Sequence, residues 1–272
     1  MKPAVDLVIN TFERTYRDVL KPGHFVDIEA QNRFSFASKI ALINNVHDRK
    51  DALMRAQDLV QAGEINAFHF VDEHLDHALA VTGLTREHLG GRIRHYSDFP
   101  LVAVTMDGAP WLLHWDAEVH LRNPINWIEP AVELMEDDPR VLVANPNWKR
   151  PTLEHETLET SGEFALGYGF TDQLFLVRRA ELACPIYKRF CPASLRYPLA
   201  HIGPIFEQRV DAYMRSERRL RATHKMVVYV HPGNEGDPYP TATTIERLRL
   251  FRNRVLLRAL RNIPISNPRW RV

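Results

Sequence analysis

The chain has 272 residues, of which 45% are apolar and 25% charged, and its formal net charge is +1. That balance excludes extensive disorder and any global attraction to a polyanion. No apolar run approaches the roughly 20 residues of a spanning helix, and MKPAVDLVINTFERTYRD turns charged too early for a signal peptide. Cys184 and Cys191 lack zinc-site spacing and fit a reducing compartment. The expectation is a cytoplasmic protein, soluble or peripheral at the inner face of the membrane.

From the N-terminus, Ala4–Asn10 is a β-branched apolar run that reads as a strand, and Thr15–Leu20 can begin a helix. Lys39–Asn45 is a second strand. Asp48 can cap a helix over Arg49–Gln61, with Gly63 behind it. Ala67–Val71 is a third strand, followed by a helix whose Leu75, Ala78, Leu79 and Thr82 fall at helical spacing. Pro100–Met106 suits a helix or a strand; the SDF before it favours a helix start, and the Asp107-Gly108 turn then leads to a strand at Trp111.

After Asn123, INWIEPAVELMEDDP reads as a helix interrupted near Pro130, with a strand at Val141–Ala144. Pro146–Gly162 is polar and loop-like. Phe170–Arg178 is a strand of antiparallel character, Ile205–Arg221 an amphipathic helix, and Lys225–Val230 a last strand leading into HPGNEGDPYP. Alternating strands and helices imply an α/β fold with a mostly parallel sheet flanked by helices. Residues 1–240 form the domain and 241–272 a basic tail.

Ligands collect beyond the carboxyl ends of such strands. Asn10-Thr11-Phe12-Glu13, Asn44-Asn45 and Asp116-Ala117-Glu118 are three polar strand ends. In WLLHWDAEVHL an apolar strand ends in two carboxylates two positions apart. In extended backbone these project to one side and can converge on a hard cation that also binds phosphate oxygens. Taken alone, such a triplet more often marks surface acids at a strand end.

The order of VDLVINTFER and the W-D-A-E strand end resembles GT-A glycosyltransferases, especially the family 2-like group, over roughly Val5 to Gly233. That resemblance implies a GT-A-type (Rossmann-like) sheet and a transferase using a nucleotide-sugar such as a UDP-sugar. It implies that Thr11, Glu13 and Arg14 lie by the nucleoside, with Asn45 or Asp48 near the base or ribose. Asp116 then touches the sugar or ribose and joins Glu118 and His231, in YVHPG, in holding Mn2+ or Mg2+. Glu118 departs from the family's last Asp by one methylene.

GPIFEQRVDAYMR resembles the family's acidic helix start. It implies Glu207 as general base towards a hydroxyl acceptor with inversion, although Gln208 replaces the second acid; Asp172 and Asp211 are alternatives. Gly233 and Gly236 suit a loop closing over donor. His74 and His77 among acids offer a second metal cluster, and Trp148 and Tyr168 can stack on a sugar or fill the core.

From Thr241 onward there are eight arginines, with Glu246 as the one acid. Ile245, Leu248, Phe251, Val255, Leu256 and Leu260 share roughly one helical side. Such a C-terminal amphipathic helix suits an anionic bilayer, where a lipid-linked acceptor is found, or packing on its own domain or a second subunit in a homodimer. No nucleic-acid motif is present. The expected partners are a nucleotide-sugar donor and a glycan or lipid-linked acceptor, with polysaccharide biosynthesis as the setting. The alternatives are a sugar-phosphate nucleotidyltransferase, disfavoured because no Gly-rich loop follows the first strand, and a non-catalytic nucleotide-sugar-binding or assembly module.

Overall fold

The computed structural model describes residues 2–148, 157–231 and 240–260. The first half runs β1 (Val5–Thr11), α1 (Tyr16–Val19), α2 (His24–Asn32), β2 (Ser38–Ile43), α3 (Arg49–Gln61), β3 (Ala67–Phe70), α4 (Val71–Thr82), α5 (Asp98–Thr105), β4 (Trp111–Asp116) and β5 (His120–Leu121). The second runs α6 (Ile128–Asp137), β6 (Val141–Trp148), β7 (Thr157–Ser161), β8 (Phe164–Gly167), β9 (Leu174–Arg178), α7 (Arg179–Leu182), α8 (Phe206–Glu217), β10 (Leu220–Val230) and α9 (Thr244–Leu260). Short 3-10 turns at Arg86–Leu89, Gly91–Tyr96 and Pro192–Arg196 complete it.

The strands form one 10-stranded sheet in the order β3-β2-β1-β4-β9-β6-β10-β8-β7, with β5 on β10. β9 is antiparallel to both β4 and β6, so the strands on either side of it run the same way. β5 and β8 are likewise antiparallel to β10, and the sheet is mostly parallel, as expected.

Side-chain alternation splits the core cleanly. Val5, Leu7 and Ile9 of β1 and Trp111, Leu113 and Trp115 of β4 face a core closed by α1, α2, α3 and α6. Val8 and Leu112 face the opposite core, closed by α4, α5, α7 and α8. Strands buried on both faces read as continuous apolar runs, which is what a parallel sheet covered by helices requires. Among the described residues no helix is long and apolar enough to cross a membrane.

Most predicted elements are present. Asp48 accepts a hydrogen bond from the Asp51 N–H at the start of α3, and Pro100 lies inside α5. Four readings are corrected. α6 is not interrupted at Pro130, because the proline is its third residue, where the N–H has no intrahelical acceptor to lose. α8 ends at Glu217, closed by Arg218 at φ +58°, and β10 then begins at Leu220 rather than Lys225.

The stretch Pro146–Gly162 is not simply a loop. β6 continues to Trp148 and β7 starts at Thr157, while residues 149–156 lie outside the described residues. Pro146 is accommodated in β6 opposite a register shift in β10 between His224 and Val228. α2 is an addition that no sequence pattern announced.

Candidate active site

A cavity of about 360 Å³ opens at the carboxyl ends of β1, β2 and β4. β1 contributes Asn10 and, just beyond its end, Phe12 and Arg14; Asn44 and Asn45 follow β2; Asp116 and Glu118 close β4. The three polar strand ends thus line one crevice. The opposite wall comes from His95, Tyr96, Phe99, Pro198, Leu199 and Ile205, with Asp172, Gln173, Glu207 and His231 between the two walls.

Asp116 and Glu118 converge by a different route from the expected alternation along a strand. β4 ends at Asp116, and the chain turns there: the Glu118 N–H donates to Asp116 Oδ1 at 3.1 Å and the Val119 N–H to the Asp116 carbonyl at 3.1 Å. An aspartate side chain that mimics a backbone turn is a common way to reverse a strand end. Asp116 is held on its other side by its own N–H, which donates to the Gln173 carbonyl at 2.8 Å.

His231 follows the last residue of β10 and is 7% exposed. Its Nε2 lies 3.3 Å from Asp116 Oδ1 and 4.0 Å from Glu118 Oε2. One ligand atom from each of the three residues lies within 4.8 Å of the others. Among the described residues this is the one group of three acids, cysteines or histidines so gathered. Two carboxylates and an imidazole suit a divalent ion such as manganese, which tolerates a nitrogen ligand, better than magnesium, which prefers oxygen alone.

Next to the triad stands a second acidic pair. The Asp172 N–H donates to Glu207 Oε1 at 3.1 Å, and Glu207 sits in the first turn of α8, where the helix dipole favours a negative charge. Burial pushes the Asp172 carboxyl well above the usual carboxylate range, and the charges of Glu207 and Asp116 reinforce it. Burial also lifts Glu207, to about 6, while hydrogen bonds from Asp172 hold it down. Asp172 is the more strongly raised of the two, so burial disfavours its anion more than that of Glu207.

The other predicted residues are dispersed. Arg14 and Asn45 line the cavity, Arg14 with its guanidinium 5.4 Å from the Phe12 ring. Thr11 does not: it is fully buried with its hydroxyl 3.1 Å from that of Thr15. Glu13 turns away to accept from the His47 N–H at 2.7 Å. Asp48 is occupied in capping α3.

Asp211 is fully buried, accepting from Ser194 and, at 2.9 Å, from Arg215 Nε, and it is not among the cavity residues. Its place as an alternative base is withdrawn, because a carboxylate locked in an ion pair away from the cavity has no route to an acceptor. Trp148 and Tyr168 also lie off the cavity; Tyr168 is buried beside Arg215. His74 pairs with His69 at 3.1 Å rather than with a metal cluster. Gly233 and Gly236 lie outside the described residues.

Sequence reasoning missed the wall formed by His95, Tyr96, Phe99, Gln173, Pro198, Leu199 and Ile205. It also missed Asp98, which is buried, accepts from Asn44 Nδ2 at 2.9 Å, and is raised by burial to about 6. Most of these residues come from irregular segments without hydrophobic periodicity, and Asp98 and Phe99 open α5, where a helix start says nothing of a cavity.

Neither a family model nor a curated protein matches this sequence. Solved structures do match. GalNAc-T7, crystallised with UDP, GalNAc and Mn2+, aligns over 97% of this chain and 53% of its own, with a TM-score of 0.51 at 10% identity. The fold is that of the GT-A glycosyltransferases. S. aureus TarS aligns over 84% of this chain and 60% of its own (TM-score 0.44, 10% identity). Mouse xyloside xylosyltransferase 1 aligns over 86% and 100% (TM-score 0.44, 13% identity). The chain spans 53% and 60% of the length of the first two.

Proposed function

We propose that the chain is a metal-dependent, inverting glycosyltransferase, moving a sugar from a nucleotide-sugar donor to a hydroxyl acceptor. One observation carries this reading. The Asp116–Glu118–His231 triad and the Asp172–Glu207 pair, drawn from four separate stretches of the chain, face the same cavity. Its volume falls in the range of small-ligand sites.

The triad would hold Mn2+ or Mg2+, which when bound neutralises the donor diphosphate as it departs. Asn10 Oδ1, buried on the cavity wall without a hydrogen-bond partner, is free to accept from a donor N–H or hydroxyl. Arg14 and Asn45 complete the donor side. Glu207 takes the acceptor hydroxyl's proton as that oxygen attacks the anomeric carbon from the face opposite the diphosphate, a single displacement that inverts the centre. Asp172, protonated, donates to Glu207 and fixes its orientation.

Manganese and a UDP-sugar are the first choices to test, and two cysteines without a disulfide framework suit a cytoplasmic setting. A glycan acceptor would place the enzyme in polysaccharide assembly. Calorimetry with UDP, with and without manganese, tests the donor side: binding should require the metal and vanish in Asp116→Ala and Glu118→Ala. Donor hydrolysis that survives Glu207→Gln would remove the assigned base. Metal-dependent binding with no turnover on any acceptor would favour the non-catalytic module instead.

A further inference from the structure

The helix α9 packs on the domain by an unexpected side. Asn253 is 2% exposed and Glu246, Leu250 and Leu257 are half-buried, and together these four form the seam facing the protein. The helix rests against the Pro192–Arg196 turn. At its start Arg92, in the Gly91–Tyr96 turn, donates to Glu246 and to the Thr241 carbonyl.

The apolar arc points the other way. Leu248, Phe251 and Val255 are 66%, 69% and 48% exposed, and at 3.6 residues per turn they lie opposite the seam, with the exposed Ile245 to one side of them. Arg247, Arg254 and Arg258 flank the arc along one edge, and Arg249 and Arg252 along the other. Of the three settings open to this arc, packing on its own domain is not the one taken, since the domain holds the helix by its other face.

We propose that this arc docks on an anionic phospholipid surface. Charge selects that occupant. The helix carries five arginines, and its one acid, Glu246, is already paired with Arg92. A second copy placed face to face would bring two sets of arginines together without acids to offset them. An anionic bilayer instead takes the apolar arc at the acyl boundary and the flanking guanidiniums at the headgroups. The position matters for the cavity, because the two turns that hold α9 continue into its wall: His95 and Tyr96 from one, Pro198 and Leu199 just beyond the other. If the transferase reading holds, its acceptor reaches that wall from a lipid surface; vesicle binding itself needs neither donor nor turnover.

The test uses the full chain with two kinds of vesicle: phosphatidylcholine alone, and phosphatidylcholine with an equal part of phosphatidylglycerol. Co-sedimentation should occur with the mixed vesicles, be weak with the neutral ones, and fall as ionic strength rises. Arg247→Gln and Arg254→Gln should each lower partition about fivefold. Leu248→Ser with Phe251→Ser should abolish it while leaving the melting temperature and manganese-dependent UDP binding unchanged. No binding to the mixed vesicles by normally melting protein overturns the proposal, as does undiminished binding by the double serine variant. A dimer in sedimentation equilibrium that Phe251→Ser disperses would assign the arc to a second copy.

Discussion

Glu207 carries a conflict that a glutamate on an open surface would not. Its carboxylate is kept in a poorly solvated place, so its pKa rises to about 6, and the folded state binds that proton more tightly than the unfolded chain does. Stability should therefore fall as pH climbs from the ordinary glutamate value through about 6, and the more strongly raised Asp172 extends the fall above it. Glu207→Gln removes the part that belongs to Glu207. The variant should melt higher than the parent at pH 8, by on the order of 1 kcal/mol, with little difference at pH 4, while losing turnover. In the parent, transfer should rise through about pH 6 as Glu207 ionises. A pH-independent melting difference would mean that the carboxyl is better solvated than its surroundings imply.

The triad makes a second prediction at this scale. Asp116 supports Glu118 through its hydrogen bond to the Glu118 N–H as well as facing His231, so Asp116→Asn retains the turn but loses charge. Asp116→Asn should weaken manganese-dependent UDP binding roughly tenfold or more without loss of fold, a loss of the size seen when a metal's surroundings are altered. Calorimetry paired with a melting curve separates the two effects.

Between elements, the most demanding contact is the clamp joining β1, α5 and α7. Asp6 Oδ2 accepts from Arg179 Nη2 at 2.8 Å and from the Ala109 N–H at 2.7 Å, while Arg179 Nη1 donates to the Ala103 carbonyl at 2.6 Å. Gly108 is confined beneath it, since a Cβ there would stand 2.1 Å from Asp6 Oδ2. Asp6→Ala should cost roughly 3–5 kcal/mol, because it strands a buried guanidinium, and denaturant unfolding reads that directly. The cap of α3 gives the milder counterpart: Asp48→Ala should cost about 1 kcal/mol and leave UDP binding unchanged, because its carboxylate serves the helix and not the cavity.

For the whole molecule, we propose that 1–240 is the folding unit and that the tail is an attachment to it. The two core layers close around the sheet through α1 to α8, whereas α9 keeps most of its apolar side chains exposed. A chain ending at residue 240 should unfold in one cooperative transition close to that of the full chain and bind UDP with manganese equally well. Two transitions, or loss of nucleotide binding, would show that α9 is part of the domain.

What the amino-acid sequence determined by itself is what neighbours along the chain decide: the alternation that buries β1 and β4 on both faces, the Asp48 cap, and the helical spacing of Leu75, Ala78, Leu79 and Thr82. Periods of 2 and 3.6 residues are local properties, so they were legible. The pairing of Asp116 with Glu118 was legible too, although a turn rather than strand alternation produces it. The meeting of His231 with that pair came from resemblance, and its geometry depends on β10 crossing the sheet to lie beside β5 and β6. Only the tertiary structure diverted Thr11, Glu13 and Asp48 to other partners and built the wall from His95 to Ile205. It also turned the apolar arc of α9 outward. Each of these depends on which surfaces remain uncovered after the core closes, and a sequence period carries no record of that.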